Sequence, residues 1–307
     1  MTRAPSEELF GTALQQPAPS KGGAEKPATR YMKPTRQRPG GGNARENGPT
    51  TCMEGWNPAN FEYCTMNIAL FGGTFDPIHR GHVNVARAAA ERFQLQEVWF
   101  VPADIPPHKQ NMQVTSFHHR YAMVSLALAG EKSLVPSLLE AQDCQAPSMP
   151  RPSYSIETVL RVKAMLGRRD RLFFLIGMDA FRDIALWYQA EKLLQECAFI
   201  VAARPGYSLM EVTSSLPQGL RPTAKELAEM RWSKKQVFLQ LPGVTLGILS
   251  ETHENVSATQ IRAAARRGRG LDKLVPHAVA DYIRKEGLYR ASRSLHLAHG
   301  RVRRKRR

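Results

Sequence analysis

The stretch "FGGTFDPIHRGHVNVA", Phe71 to Ala86, decides how the rest of the chain is read. Its apolar lead-in, "NIALF" (67–71), reads as a buried strand, and "VNVARAAAERF" (83–93) behind it has the apolar spacing of a helix. Between them Gly72 and Gly73 end the strand and leave the backbone bare, where a Cβ would keep a ligand at a distance. The helix is expected to begin near Gly81 and His82. Its free N–H groups and positive dipole end then face the crevice and favour a phosphate. His79 and His82 project toward that phosphate, either as neutral donors or as imidazolium.

Working outward, the same texture repeats. "EVWFVP" (97–102), "RLFFLIG" (171–177) and "AFIVAAR" (198–204) are short runs rich in branched and aromatic residues, the pattern of buried parallel strands. "SIETVLRVKAML" (155–166) and "EKLLQEC" (191–197) between them are helical in character. Strand alternating with helix predicts an α/β fold with a doubly wound, mostly parallel, Rossmann-like sheet. Ligands bind outside the carboxyl ends of such strands, which is where the opening stretch would lie. "VSATQIRAAARRG" (256–268) opens on a capping-type serine and runs into a basic helix. "LVPHAVADYIRKEGLY" (274–289) adds a C-terminal helical segment, with Pro276 near its start, apolar spacing at Val279, Tyr282 and Ile283, and Gly287 as a stop.

The 307 residues and their 42% hydrophobic content suit one sizeable domain with appendages. No apolar run approaches the roughly 18 residues a membrane span needs. Cys52, Cys64, Cys144 and Cys197 form neither a CxxC nor a Cys/His pattern, which argues against a disulfide framework or structural zinc. With no apolar secretory stretch at the N-terminus, a cytoplasmic location is expected. The net charge of +16 is unevenly spread: residues 1–66 carry +2 and residues 291–307 carry +7, leaving +7 for residues 67–290. A moderately basic globular part suits an anionic substrate such as a nucleotide. Three zones follow. Residues 1–65, rich in Pro, Gly, Arg, Ser and Ala and including "RPGGGN", are expected to be a disordered extension, with four glutamates weighing against a transit peptide and Met66 a candidate start. Residues 66–290 form the domain, and residues 291–307, ending "RVRRKRR", form a solvated basic tail.

Taken singly, the parts of the opening stretch are ordinary. A glycine pair after a strand is usually a turn, and His-x-x-His at helical spacing lacks a third metal ligand nearby. Neither GxxxxGK[ST] nor GxGxxG is present. The whole string is far more specific, and "GGTFDPIHRGH" resembles the first signature of the HxGH nucleotidyltransferase superfamily, with His79-Arg80-Gly81-His82 as the motif itself. "VSATQIR" (256–262) resembles the second, ISxTxIR, with Val256 in place of Ile. At finer grain the chain is similar to bacterial nicotinate-nucleotide adenylyltransferases through "VPADIPPHK" (101–109), "PSYSIETV" (152–159), "IGMDAF" (176–181), "WYQAEKLL" (187–194), "ARPGY" (203–207) and the 274–289 block. The resemblance spans residues 67–290 and neither terminal extension.

That resemblance implies adenylyl transfer from ATP to nicotinate mononucleotide, giving deamido-NAD and pyrophosphate in NAD biosynthesis. Gly72, Gly73, Thr74, Phe75 and Gly81 would line the ATP phosphates, and His79 and His82 would meet the α-phosphate and its departing oxygen. Ser257, Thr259 and Arg262 would hold the β- and γ-phosphates, Ser257 doubling as a helix cap. Arg204, in "ARPG", would border the adenine and its ribose. Trp187 would stack on the pyridine ring and the amide of Tyr188 would meet its carboxylate, although a Trp in an amphipathic helix is more often core. Tyr154, Ser155 (in place of the usual Thr) and Asp179 would lie near the mononucleotide, and His108 and Lys109 would reach its phosphate. Mg²⁺ is expected as the triphosphate counterion, with no ligand from the protein. Nicotinamide mononucleotide and phosphopantetheine stand as rival acceptors, RNA binding by the 291–307 tail as an accessory role, and a homo-oligomer as a possibility.

Overall fold

The computed structural model describes residues 65–107, 113–141, 151–203, 209–229, 238–250 and 256–290. The expected N-terminal extension, apart from Thr65, and the basic tail lie outside the described residues, as do His108, Lys109 and Arg204. Among the described residues, β1 (Asn67–Gly73), β2 (Glu97–Pro102), β3 (Leu134–Pro136), β4 (Arg171–Gly177), β5 (Ala198–Ala202), β6 (Phe238–Leu241) and β7 (Val244–Leu249) form one sheet. Its order is β3-β2-β1-β4-β5-β7-β6. Every neighbouring pair is parallel except β6 and β7. The expected doubly wound, Rossmann-like sheet is present, with the four strands anticipated from their apolar runs at its centre.

Those runs are continuously apolar because both faces of the sheet are covered. On β1, Ala69 and Phe71 join one core while Ile68 and Leu70 join the other. Phe173 and Leu175 of β4 alternate with Leu172, Phe174 and Ile176 in the same way. The first core takes α1 (Arg80–Arg92), α2 (Phe117–Ala127), α8 (Ala258–Arg266) and α9 (His277–Lys285). The second takes α3 (Ser155–Lys163), α4 (Met178–Phe181), α5 (Ala190–Glu196) and α6 (Leu209–Ser214). Another short helix, α7 (Ala224–Glu229), precedes β6.

The chain leaves β1 toward β2 on one side, and β4 pairs on the other. The strand order therefore reverses between β1 and β4, and a crevice opens at their carboxyl ends. Helix α1 starts at Arg80, slightly earlier than its apolar spacing suggests, because His79 serves as its cap residue. Trp187 departs from the helical alternative: it follows a single 3₁₀ turn, Ile184–Leu186, in extended conformation and is half-buried.

Candidate active site

The loop leaving β1 is the floor of the crevice. A Cβ on Gly73 would lie 3.0 Å from the buried Phe75 ring, a tight contact, so packing disfavours a side chain there. Gly72 differs, since its Cβ would meet only Phe174 at an ordinary 3.6 Å. Gly177, at the end of β4 across the switch point, has nothing within 4 Å of a Cβ. Internal packing demands neither of these two glycines, and both leave backbone bare at the crevice. Phe75 adopts a left-handed φ of 48°, a conformation that costs a bulky residue on the order of 1–2 kcal/mol. Its ring is buried edge-on against Phe71 and His82, with centroids at 5.7 and 5.1 Å. Phe75 can thus offer the site only its backbone.

Asp76, joined to Pro77 by a cis peptide, ties this loop to distant segments. Its Oδ1 accepts the Tyr289 hydroxyl at 2.7 Å and its Oδ2 accepts the Thr115 N–H at 3.2 Å. Its carbonyl accepts Nη1 of Arg262 at 2.7 Å. The two signatures, 186 residues apart at this bond, therefore meet in space. Arg262 also reaches Thr259 Oγ1 at 3.2 Å, and Ser257 caps α8 by accepting the Gln260 N–H at 3.2 Å. The expected Ser257 cap is present, and the helix N-terminus it frames stands beside the glycine loop.

His79 is buried, and its Nδ1 has no hydrogen-bond partner among the described residues. Its backbone N–H donates to His82 Nδ1 at 3.2 Å, and the two rings stack with centroids 3.7 Å apart. Burial lowers the His79 pKa to about 4. Burial, and then the neighbouring His79, hold His82 well below the usual imidazole range. Both shifts favour the neutral form of the rings near pH 7. Because His82 Nδ1 accepts, its proton lies on Nε2, and the ring presents a fixed N–H donor.

On the other side, the Tyr154 ring packs on Tyr188 at 4.5 Å, and Trp187 stands edge-on to Phe174 at 6.2 Å. Phe174 is also the neighbour of Gly72, so the aromatic group and the glycine loop share one wall. Tyr154 precedes α3, whose first residue is Ser155, and Asp179 lies on α4 directly after β4. Tyr154, Ser155, Asp179, Trp187 and Tyr188 thus come to the same end of the sheet as the loop.

Sequence reasoning passed over Arg120, whose side chain is only 1% exposed. It donates to the carbonyls of Thr115 and Thr74 at 2.8 Å and of Asp104 at 3.1 Å. Tyr289 was visible only as part of a resembling block, with no role attached. A buried arginine carries no local sequence signal, because the same letter on a helix usually means a solvated face.

The arrangement is a crevice of neutral imidazoles, hydroxyls, a guanidinium and bare backbone, suited to phosphate oxygens. Residues 70–264 match the cytidylyltransferase-like family. A probable nicotinate-nucleotide adenylyltransferase of Pseudomonas fluorescens is 40% identical over 224 residues, covering 73% of this chain and 97% of the relative. One from Moorella thermoacetica is 34% identical over 223 residues, 73% and 91% of the two chains. The solved structure of Plasmodium falciparum nicotinic acid mononucleotide adenylyltransferase complexed with NaAD shares the fold. It has a TM-score of 0.51 at 21% identity, over 73% of this chain and 97% of that one. With the sheet, both signatures and this extent of identity in agreement, the chain belongs to the nicotinate-nucleotide adenylyltransferase family of nucleotidyltransferases.

Proposed function

We propose that this chain transfers the adenylyl group of ATP to nicotinate mononucleotide. An oxygen of the mononucleotide phosphate attacks the α-phosphorus of ATP, a new P–O bond forms, and the bond to the β-phosphate breaks. Nicotinate adenine dinucleotide and pyrophosphate result, and no covalent enzyme intermediate is needed. The single observation that carries the reading is the Arg262–Asp76 bond, which joins the two signatures around one crevice.

Two anions must meet, so the protein's contribution is to position them and to neutralise charge as it moves. Holding reactants in line is worth about 7–11 kcal/mol of barrier. The neutral His82 ring, with its proton fixed on Nε2, is a preset donor for the oxygen that gains charge at the α-phosphate. Arg262 supplies a guanidinium for the β- and γ-phosphates, and Ser257, Thr259 and the first N–H groups of α8 add donors. Gly72 and Gly73 admit the triphosphate to the backbone. Trp187, Tyr188 and Tyr154 form the aromatic surface for the pyridine ring, with Ser155 and Asp179 beside it. His108 and Lys109 on the acceptor phosphate, and Arg204 at the adenine, belong to this reading through the family pattern.

Among the described residues, no group of three or more His, Cys, Asp or Glu side chains could hold a metal ion. Both carboxylate oxygens of Asp76 are already engaged. The site's donors fit phosphate oxygens, so Mg²⁺ is assigned to the substrate, arriving with ATP and neutralising its triphosphate. No helix among the described residues is long and apolar enough to cross a membrane.

The test is pyrophosphate release by the purified chain with ATP, Mg²⁺ and one acceptor at a time. Release with nicotinate mononucleotide at the highest kcat/KM supports the reading. Preference for nicotinamide mononucleotide or phosphopantetheine would keep the chemistry and replace the acceptor. No release with any acceptor would overturn the function.

A further inference from the structure

Arg120 ties together segments that are far apart in the sequence. It lies on α2, yet none of its three side-chain bonds serves the body of that helix. Thr74 is in the loop after β1 and Asp104 in the loop after β2, and these strands are paired with Gly73 opposite Pro102. Thr115 is the third acceptor, just ahead of α2. One guanidinium therefore spans the carboxyl ends of two adjacent strands and clips their loops to a third segment.

The two loops serve different sides of the crevice. Thr74 leads into Phe75 and Asp76, whose carbonyl holds Arg262. Next to Asp104, the Ile105 carbonyl accepts the Ser153 N–H at 3.0 Å, immediately before Tyr154 and Ser155. Asp76, Asp104, Glu140 and Tyr289 surround the guanidinium electrostatically, but its direct hydrogen bonds go to backbone carbonyls. The bond set therefore fixes backbone positions.

We propose that Arg120 is a positioning residue for the transfer, setting the distance between the loop that meets ATP and the loop that leads to the acceptor. The proposal rests on the adenylyl-transfer reading above. Only arginine presents divergent N–H groups in one rigid plane; lysine has a single ammonium and glutamine a single amide. With the clip lost, each substrate still finds its own loop, but the phosphate oxygen and the α-phosphorus are no longer held in line. A displacement of about 1 Å costs on the order of 10²-fold in rate.

The experiment compares the wild-type chain with Arg120→Lys, Arg120→Gln and Arg120→Met. Melting temperature, the separate affinities for ATP and nicotinate mononucleotide, and kcat are measured for each. The glutamine and methionine variants remove the buried charge as well as the fork, so the series does not depend on one substitution folding. The proposal expects folded variants that bind each substrate within about threefold of wild type while kcat falls about 10- to 100-fold. A folded variant with kcat within twofold of wild type would overturn it. So would a loss confined to the affinities, or failure of all three variants to fold, which would make Arg120 a residue of stability only. Wild-type inactivity with nicotinate mononucleotide, nicotinamide mononucleotide and phosphopantetheine would overturn the functional reading, and this proposal with it, before any substitution is compared.

Discussion

On the phosphate side of the crevice the loop after β1 is held from several directions: Arg120 on the Thr74 carbonyl, Thr115 and Tyr289 on the Asp76 carboxylate, and Arg262 on the Asp76 carbonyl. On the aromatic side Tyr188 is 47% exposed and leans on Tyr154 by ring contact, while Leu186, two residues earlier, is 79% exposed. The contrast follows the chemistry each side is proposed to serve. Charge that develops for an instant at phosphorus is best met by donors already fixed in place, because reorganising them would add to the barrier. A flat ring in its ground state needs surface and an approximate orientation, which partly exposed aromatics supply.

The strongest way to break this comparison is to remove a fixed donor. His82→Ala takes away the Nε2–H and leaves the His79 N–H without its acceptor. A fall in kcat of about 10²–10³-fold is expected, typical for loss of one preset donor, with little change in KM for the mononucleotide. Steady-state pyrophosphate release checks it, and a pure KM effect would place His82 outside the chemistry.

Next in size is the acid sensitivity of the same imidazoles. The folded His79 has a pKa of about 4 against an ordinary 6.5, so the unfolded chain binds more protons between those values. Stability is therefore undiminished above pH 6.5, falls as the pH drops below it, and has lost the whole His79 contribution below about 4. That loss amounts to about 3 kcal/mol, and His82 acts in the same direction. Denaturant melts at pH 7 and 4.5 should show a shallower fall for His79→Gln than for wild type. Turnover of the wild-type chain should show no ionisation of His79 or His82 between pH 6.5 and 8.

The aromatic side should respond more mildly and in a different parameter. Trp187→Ala removes a ring that is half-buried and edge-on to Phe174. Losing one stacking surface is worth about 1 kcal/mol, so KM for nicotinate mononucleotide should rise about five- to tenfold while kcat stays within about twofold. A kcat loss as large as that of His82→Ala would erase the distinction between the two sides.

How much of this was legible follows the same divide. The central strands were readable because burial on both faces leaves continuous apolar runs, and the glycine–histidine loop because its residue types are rare in combination. Three-residue β3 was too short to show a period, and β7 is interrupted by Thr245 and Gly247. Helix α2 was missed for an instructive reason: its buried face reads Arg120, Met123, Val124, Ala127, so a charge occupies the first apolar position. The arginine part of the bracing was invisible because the bonds from Arg120 and Arg262 end on the backbone carbonyls of Thr74, Asp104 and Asp76, which no side-chain motif records.

The smallest expected change in stability separates glycines kept for packing from those kept for a ligand. On Gly247 a Cβ would lie 2.5 Å from the Phe93 ring, so Gly247→Ala overpacks the core and should destabilise the chain by about 1–3 kcal/mol. On Gly72 the nearest contact is 3.6 Å, and no positive φ is at stake. Gly72→Ala should therefore be neutral or stabilising, by up to about 1 kcal/mol, because the unfolded chain loses freedom. Its methyl nevertheless enters the space proposed for the triphosphate, and KM for ATP should rise about three- to tenfold. Thermal melts and ATP titrations of the two variants check the pair. If Gly72→Ala binds ATP as wild type does, the bare backbone at the end of β1 is not where the triphosphate approaches, and the phosphate side of the crevice must be drawn closer to Ser257 and Arg262.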